Sequence, residues 1–196
     1  MFTGIVEALG QIKHINKESG NIHFGISCPF VTELKVDQSL CHNGVCLTVT
    51  RIDSSVYWVT AIAETLGITD LIDWKIGSLV NLERCMPANG RFDGHIVQGH
   101  VDMKGTCTKV VEDQGSWRFY FEYPENDGLM TVKKGSVCVN GVSLTVVDSG
   151  DVDFSVAIIP YTYEHTTFKN LKEGSLVNLE FDILGKYMQK LLAKIS

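Results

Sequence analysis

Asn43-Gly-Val-Cys-Leu-Thr-Val49 recurs 97 residues later as Asn140-Gly-Val-Ser-Leu-Thr-Val146. Six of the seven letters agree, and the exception sets Cys46 against Ser143. A second match keeps the same offset of 97, Gly77-Ser-Leu-Val-Asn-Leu-Glu83 returning letter for letter as Gly174-Ser-Leu-Val-Asn-Leu-Glu180. Between these anchors, Ala61-Ile62 through Thr65 aligns near that spacing with Ala157-Ile158 through Thr162. At the front, Gly4-Ile5-Val6 has a looser counterpart in Gly99-His100-Val101, shifted by two residues. Independent matches at one offset make the chain a tandem repeat of one module, over about residues 1–88 and 95–182.

Within each module the pattern is that of strands. Asn21–Ser27 alternates polar and apolar residues, and Trp117–Tyr123 largely does so. Turn residues recur every 8–12 positions: Ser19-Gly20, Asn43-Gly44, Asp53-Ser54-Ser55 and Lys75-Ile76-Gly77. That spacing predicts about six strands per module, closed or nearly closed into a small antiparallel barrel. Short helical turns are expected at 66–73 and 126–132, where the period of two is lost. Met86–Gly94, with a proline and two glycines, reads as a connection short enough to keep the barrels adjacent.

The second module ends near Asp182, and the residues beyond it have no counterpart in the first half. Leu184, Tyr187, Met188, Leu191, Leu192 and Ile195 fall on one helical face, with Lys186, Lys190 and Lys194 on the other. A helix of about 13 residues is marginal alone in water, so the stripe must be buried. Docking on its own barrel and packing against copies of itself are both open on this pattern.

Composition excludes several functions. The net charge is −6 with no basic cluster, which argues against nucleic acid and anionic membranes as partners. No apolar run approaches the roughly 20 residues of a membrane span. Six cysteines are scattered without a C-x-x-C pair and no signal peptide is evident, so free thiols and a cytoplasmic location are expected.

Asn-Gly favours a two-residue type I′ hairpin, because both positions take positive φ. Along the outgoing strand Val45, Leu47 and Val49 share one face, with Cys46, Thr48 and Thr50 opposite. Val142, Leu144 and Val146 likewise oppose Ser143 and Thr145. A half-wetted strand explains the threonines alone. A cysteine, usually a buried residue, at the one point of divergence favours two similar pockets that treat a ligand differently.

Met1-Phe-Thr-Gly-Ile-Val-Glu7, the two Asn-Gly segments and Gly94-His-Ile-Val-Gln-Gly-His100 together resemble riboflavin synthase of the alpha-chain type, over essentially the whole chain. The resemblance implies an all-β protein of two tandem six-stranded Greek-key barrels with a C-terminal helix. Its units would be lumazine-binding barrels at 1–90 and 91–182 and a trimerisation helix at 183–196. It implies a cytoplasmic transferase of riboflavin biosynthesis that dismutates two 6,7-dimethyl-8-ribityllumazine molecules to riboflavin and 5-amino-6-ribitylaminouracil. No cofactor or metal is implied. Homotrimers form through the terminal helices, with sites between the N-barrel of one subunit and the C-barrel of the next. A non-enzymatic lumazine or flavin carrier of the lumazine-protein type is the alternative.

The resemblance also implies residues. Cys46 is a nucleophile or proton-transfer group, His100 suits deprotonation of the 7-methyl group, and Ser39 steadies an added water or hydroxide. Binding carries over to Gly4, Ile5, Val6, Cys46, Leu47 and Thr48 in the first barrel, with Thr60, Ala61, Ile62, Ala63, Glu64 and Thr65. In the second it carries over to Gly99, His100, Val101, Lys134, Asn140, Ser143, Leu144 and Thr145, with Ile159, Pro160, Tyr161, Thr162, Tyr163 and Glu164. Some family members carry aspartate at position 140, and asparagine there cannot exchange a proton. His95 is assigned to the connection.

Overall fold

The computed structural model describes residues 1–125 and 128–194. Its first half runs β1 (Ala8–Glu18), β2 (Asn21–Ser27), β3 (Ser39–His42), β4 (Val45–Asp53), β5 (Val56–Ala61), α1 (Ala63–Ile68) and β6 (Leu79–Arg84). Its second runs β7 (Met103–Asp113), β8 (Ser116–Glu122), β9 (Ser136–Val139), β10 (Val142–Ser149), β11 (Asp153–Ile158), α2 (Pro160–His165) and β12 (Leu176–Phe181). The last element is a terminal helix, α3 (Ile183–Leu192). Each set of six strands closes into an antiparallel barrel with the order β1-β2-β5-β4-β3-β6 or its equivalent.

Closure is built from the same devices twice. A strand that joins both neighbours of a small barrel must bend, and an extra residue in one strand bends it. Register shifts fall at Ile12/His14 and Val49/Arg51 in the first barrel and at Cys107/Lys109 and Val146/Asp148 in the second, at equivalent points. Asn43-Gly44 and Asn140-Gly141 take positive φ at both residues, as their hairpins require. The faces divide as the period of two predicts. Val45, Leu47, Val49, Val142, Leu144 and Val146 are buried, whereas Thr48 and Thr145 are exposed and Cys46 and Ser143 half-exposed.

One core is filled by Ile12, Phe24, Ile26, Leu40, Val49 and Leu82, the other by Phe119, Phe121, Phe154, Val156, Phe168 and Leu179. Each such side chain contributes ~1.5–3 kcal/mol on leaving water. The leading segments do not stay with their own barrels. Val101 packs into the first core and Val6 against the second. Phe2 and Val97 bridge through paired backbone hydrogen bonds of 2.8 and 3.1 Å.

The seam between the barrels is a near-symmetric polar network. Asn81 Nδ2 donates to the Asn140 carbonyl and to Thr167 Oγ1, while Asn178 Nδ2 donates to the Asn43 carbonyl and to Asp70 Oδ1. The two Asn-Gly turns meet there, and a Cβ at Gly141 would stand 2.7 Å from the Gly44 nitrogen.

Of the two helical turns expected, one is present and one is not. The helical turn expected at 66–73 is present as α1 followed by a 3₁₀ turn at Asp70–Asp73. The one expected at 126–132 is absent from 128–132, where Gly128 takes φ +101°, outside the helical region; 126 and 127 lie outside the described residues. The terminal helix presents its apolar stripe outward, with Leu184, Tyr187, Met188, Leu191 and Leu192 each at least 60% exposed. Its inward contact is polar, Lys186 Nζ bonding Asp102 at 2.6 Å. Ile195 lies outside the described residues.

Candidate active site

Each barrel turns the polar face of one hairpin strand outward, and the leading segment of the other half closes over it. Cys46 N donates to the Gly99 carbonyl at 2.8 Å, and Ser143 N donates to the Gly4 carbonyl at 2.8 Å. The approach is too close for any side chain: a Cβ on Gly99 would lie 2.6 Å from Cys46 Cβ, and one on Gly4 2.6 Å from Ser143 Cβ. Both glycines take φ near +80° as well, so a substitution would strain both backbone and contact.

This crossing corrects the grouping expected from the sequence. Gly99, His100 and Val101 belong with Cys46 on the first barrel, and Gly4, Ile5 and Val6 with Ser143 on the second. Beside Cys46, then, stand His100, with an exposed side chain, and Ser39, paired in register with Thr48. Burial pushes the Cys46 thiol up, and a hydrogen bond with the Ser39 side chain draws it partly back. Ser39 also accepts from the Cys85 thiol through its carbonyl, at 3.4 Å.

The Ser143 pocket is chemically different. His95 Nδ1 lies 2.6 Å from Ser143 Oγ, and burial lowers the imidazole's pKa. Sequence reasoning matched His95 to a family position but assigned it to the connection, and its pairing with Ser143 was not expected. The second pocket has Ile5 where the first has His100, so each pocket gains one histidine from a different position. Lys134, exposed at φ +69°, holds its backbone to Val146 where Asp37, at φ +70°, holds Val49.

Other expected residues divide by orientation. The side chains of Leu47, Leu144 and Ala61 point into the cores, leaving only backbone to a ligand. Thr60 Oγ1 bonds His23 Nδ1 at 2.8 Å, while Ile62, Ala63 and Glu64 are exposed at the start of α1 and Thr65 is half-buried. Ile159, Pro160, Tyr161 and Glu164 are exposed at α2, Thr162 is half-buried, and Tyr163 stacks on Trp117 at 3.8 Å. Neither helix has a side-chain cap, so both offer free N–H groups to a polar ring edge. Asn140 is a correction. It sits buried in the seam, its Oδ1 accepting from Asn178 N, because the tight turn it forms packs against its twin.

Comparison with known proteins agrees with this architecture. The family model of the lumazine binding domain matches twice, at residues 3–85 and 98–182. Riboflavin synthase of Actinobacillus pleuropneumoniae is 41% identical over 99% of this chain and 91% of its own length, and that of Bacillus subtilis is 38% identical over 100% and 92%. Among solved structures, LumP complexed with 6,7-dimethyl-8-(1'-D-ribityl) lumazine superposes with a TM-score of 0.84 at 25% identity, covering 92% of this chain and 98% of that one. LumP complexed with riboflavin gives 0.85 at 26%, covering 92% and 99%. With a duplicated domain matched in both halves and synthase relatives aligned from end to end, the chain belongs to the riboflavin synthase family.

Proposed function

We propose that the protein makes riboflavin by dismutation, transferring a four-carbon unit between two 6,7-dimethyl-8-ribityllumazine molecules and releasing 5-amino-6-ribitylaminouracil. The atoms of two substrates equal those of the two products, so no oxidant, reductant or cofactor enters the net balance. The observation that carries this reading is the pair of homologous pockets with unlike reactive groups, Cys46 with His100 in one and Ser143 with His95 in the other. A reaction between two identical molecules needs two similar pockets and an asymmetry that assigns donor and acceptor.

His100 takes the proton from the 7-methyl group of one lumazine, as an accessible imidazole suits near neutral pH. Cys46, held up in pKa by burial, acts as a neutral proton donor rather than a standing thiolate. Ser39 steadies an added water or hydroxide. In the other pocket His95, kept neutral by burial, accepts the Ser143 hydroxyl proton as a hydrogen bond and orients that oxygen. Thr48, Thr145 and the free N–H groups of α1 and α2 read the uracil-like edge, and Lys134 meets ribityl oxygens. Holding two rings in register supplies much of the rate, since orientation is worth ~7–11 kcal/mol.

The two pockets meet across a subunit boundary in a homotrimer. In support, α3 bonds its own barrel through Lys186 and leaves Leu184, Tyr187, Met188 and Leu191 exposed, an apolar face suited to packing against copies of itself. Replacing Met188 and Leu191 by glutamate should reduce the mass by light scattering from three times 21.7 kDa to one and abolish turnover. The six free thiols support a reducing, cytoplasmic setting.

Incubation with 6,7-dimethyl-8-ribityllumazine alone tests the function. Riboflavin fluorescence should appear with an equal amount of the pyrimidine product. The likeness to LumP favours a carrier as the second reading, and tight binding of lumazine without product would establish it instead.

A further inference from the structure

The identical heptapeptides Gly77–Glu83 and Gly174–Glu180 end on buried glutamates, 5% and 2% exposed, that neither pocket's chemistry uses. Glu180 Oε1 accepts from Gln98 N at 2.7 Å, and its Oε2 accepts from Gly99 N and His100 N, each at 3.0 Å. Glu83 Oε1 accepts from Thr3 N at 2.6 Å and from Thr3 Oγ1 at 2.7 Å, and its Oε2 from Gly4 N at 2.9 Å. Successive backbone N–H groups converging on one carboxylate form an anion site, here filled by the chain's own side chain. Bonds to an ionised acceptor are roughly twice as strong as neutral ones.

Each clamped segment is the one that roofs the opposite pocket. The Gly99 held by Glu180 stands directly against Cys46, and the Gly4 held by Glu83 directly against Ser143, each too close to admit a Cβ. We propose that Glu180 and Glu83 are positioning residues that act crosswise: Glu180, on the second barrel, sets His100 and the roof over the first barrel's Cys46, and Glu83, on the first, sets the roof over Ser143. A further tie runs to the terminal helix, since Asp102 accepts from both Phe181 N and Lys186 Nζ. This assignment rests on the reading of Cys46 and Ser143 as markers of two pockets.

The test uses the full chain carrying Ser143→Cys, so that each pocket has a thiol, with alkylation by iodoacetamide followed at each by peptide mass spectrometry. Glu180→Gln replaces an acceptor oxygen by a donor facing the same N–H groups. It should speed alkylation of Cys46 several-fold and leave the thiol introduced by Ser143→Cys unchanged, and Glu83→Gln should do the reverse. In the chain with native Ser143, Glu180→Gln should lower kcat by roughly 10²-fold with KM changed far less, the cost expected of a small displacement of a reacting group. Should Glu180→Gln not fold, Glu180→Asp, which keeps the charge and withdraws the oxygens, must give the same one-sided pattern. Equal acceleration at both thiols in either variant, or none, would overturn the proposal. Alkylation requires no turnover, so the crosswise pattern in the variants, with no riboflavin formed by the unsubstituted chain, would sink the synthase reading and leave the clamp standing.

Discussion

The two barrels differ least where they touch each other and most where they face a ligand. Asn43 and Asn140, Asn81 and Asn178, and Glu83 and Glu180 occupy equivalent places and make equivalent bonds. The Asn81 and Asn178 amides go on to the carbonyls of Asn140 and Asn43 in the opposite half, so a change in one copy would leave a buried partner unsatisfied in the other. At the pocket positions the ties between halves are backbone bonds, Cys46 N to the Gly99 carbonyl and Ser143 N to the Gly4 carbonyl, which leave the side chains free to differ. Cys46 has become Ser143, the place of His100 is taken by Ile5, and Asp37 faces the role of Lys134. The duplication therefore fixes a frame and frees two pockets to specialise.

The sharpest way to break that contrast is at the leading segments. His100→Ala should cut turnover by ~10²–10⁴-fold, the usual contribution of a positioned acid or base. The equivalent change Ile5→Ala should cost far less, and steady-state kinetics on the two variants measures the difference. Equal losses would mean that the segments serve only as roofs.

One of the differences between the cores puts a buried imidazole in the first barrel alone. His42 and Tyr57, hydrogen-bonded at 2.9 Å, stand where the second barrel has Val139 and Phe154. Burial lowers the imidazole from 6.5 to about 4, and among the described residues its Nδ1 finds no hydrogen-bond partner. The unfolded chain protonates this histidine first, so its contribution is complete above pH 6.5 and is lost as pH falls towards 4. At 1.36 kcal/mol per pH unit the loss reaches ~3 kcal/mol. Replacing His42 by Val with Tyr57 by Phe should remove it. The raised carboxyls of Asp70, Glu83 and Glu180 act with the opposite sign but are common to both proteins, so they cancel in the difference between their urea-unfolding curves.

The seam is nearly symmetric, and its one unequal pair should show. Asn178 serves Asp70, whereas Asn81 serves Thr167. Hydrogen bonds to charged groups are worth ~1.5–3 kcal/mol and neutral ones ~0.5–1.5. Asn178→Ala should therefore destabilise more than Asn81→Ala, by roughly 1–2 kcal/mol in chemical denaturation at neutral pH.

The duplication, the strand faces and the hairpin turns were legible because each is written in local spacing. So was the two-residue slip at the front: 11 residues join β2 to β3 and 13 join β8 to β9. The exchange of leading segments was not legible. Gly4 and Ser143 are separated by more than a hundred residues, and a repeat aligns Gly4 equally well with its own barrel. His95 was missed because its partner Ser143, although in the same half, lies 48 residues further along the chain. The apolar stripe of α3 was visible as a pattern, but the side it presents was decided by Lys186 finding Asp102.

Cys46 against Ser143 is the difference between the pockets on which the proposed assignment of donor and acceptor turns. Cys46→Ser makes the two heptapeptides identical while keeping volume and hydrogen bonding close. The single-turnover rate of riboflavin formation, measured with saturating 6,7-dimethyl-8-ribityllumazine, should fall at least tenfold, within the range of a lost proton-transfer group, with substrate still bound in both pockets. An undiminished rate would contradict that role for the cysteine, and the asymmetry would have to lie with His100 and His95 alone.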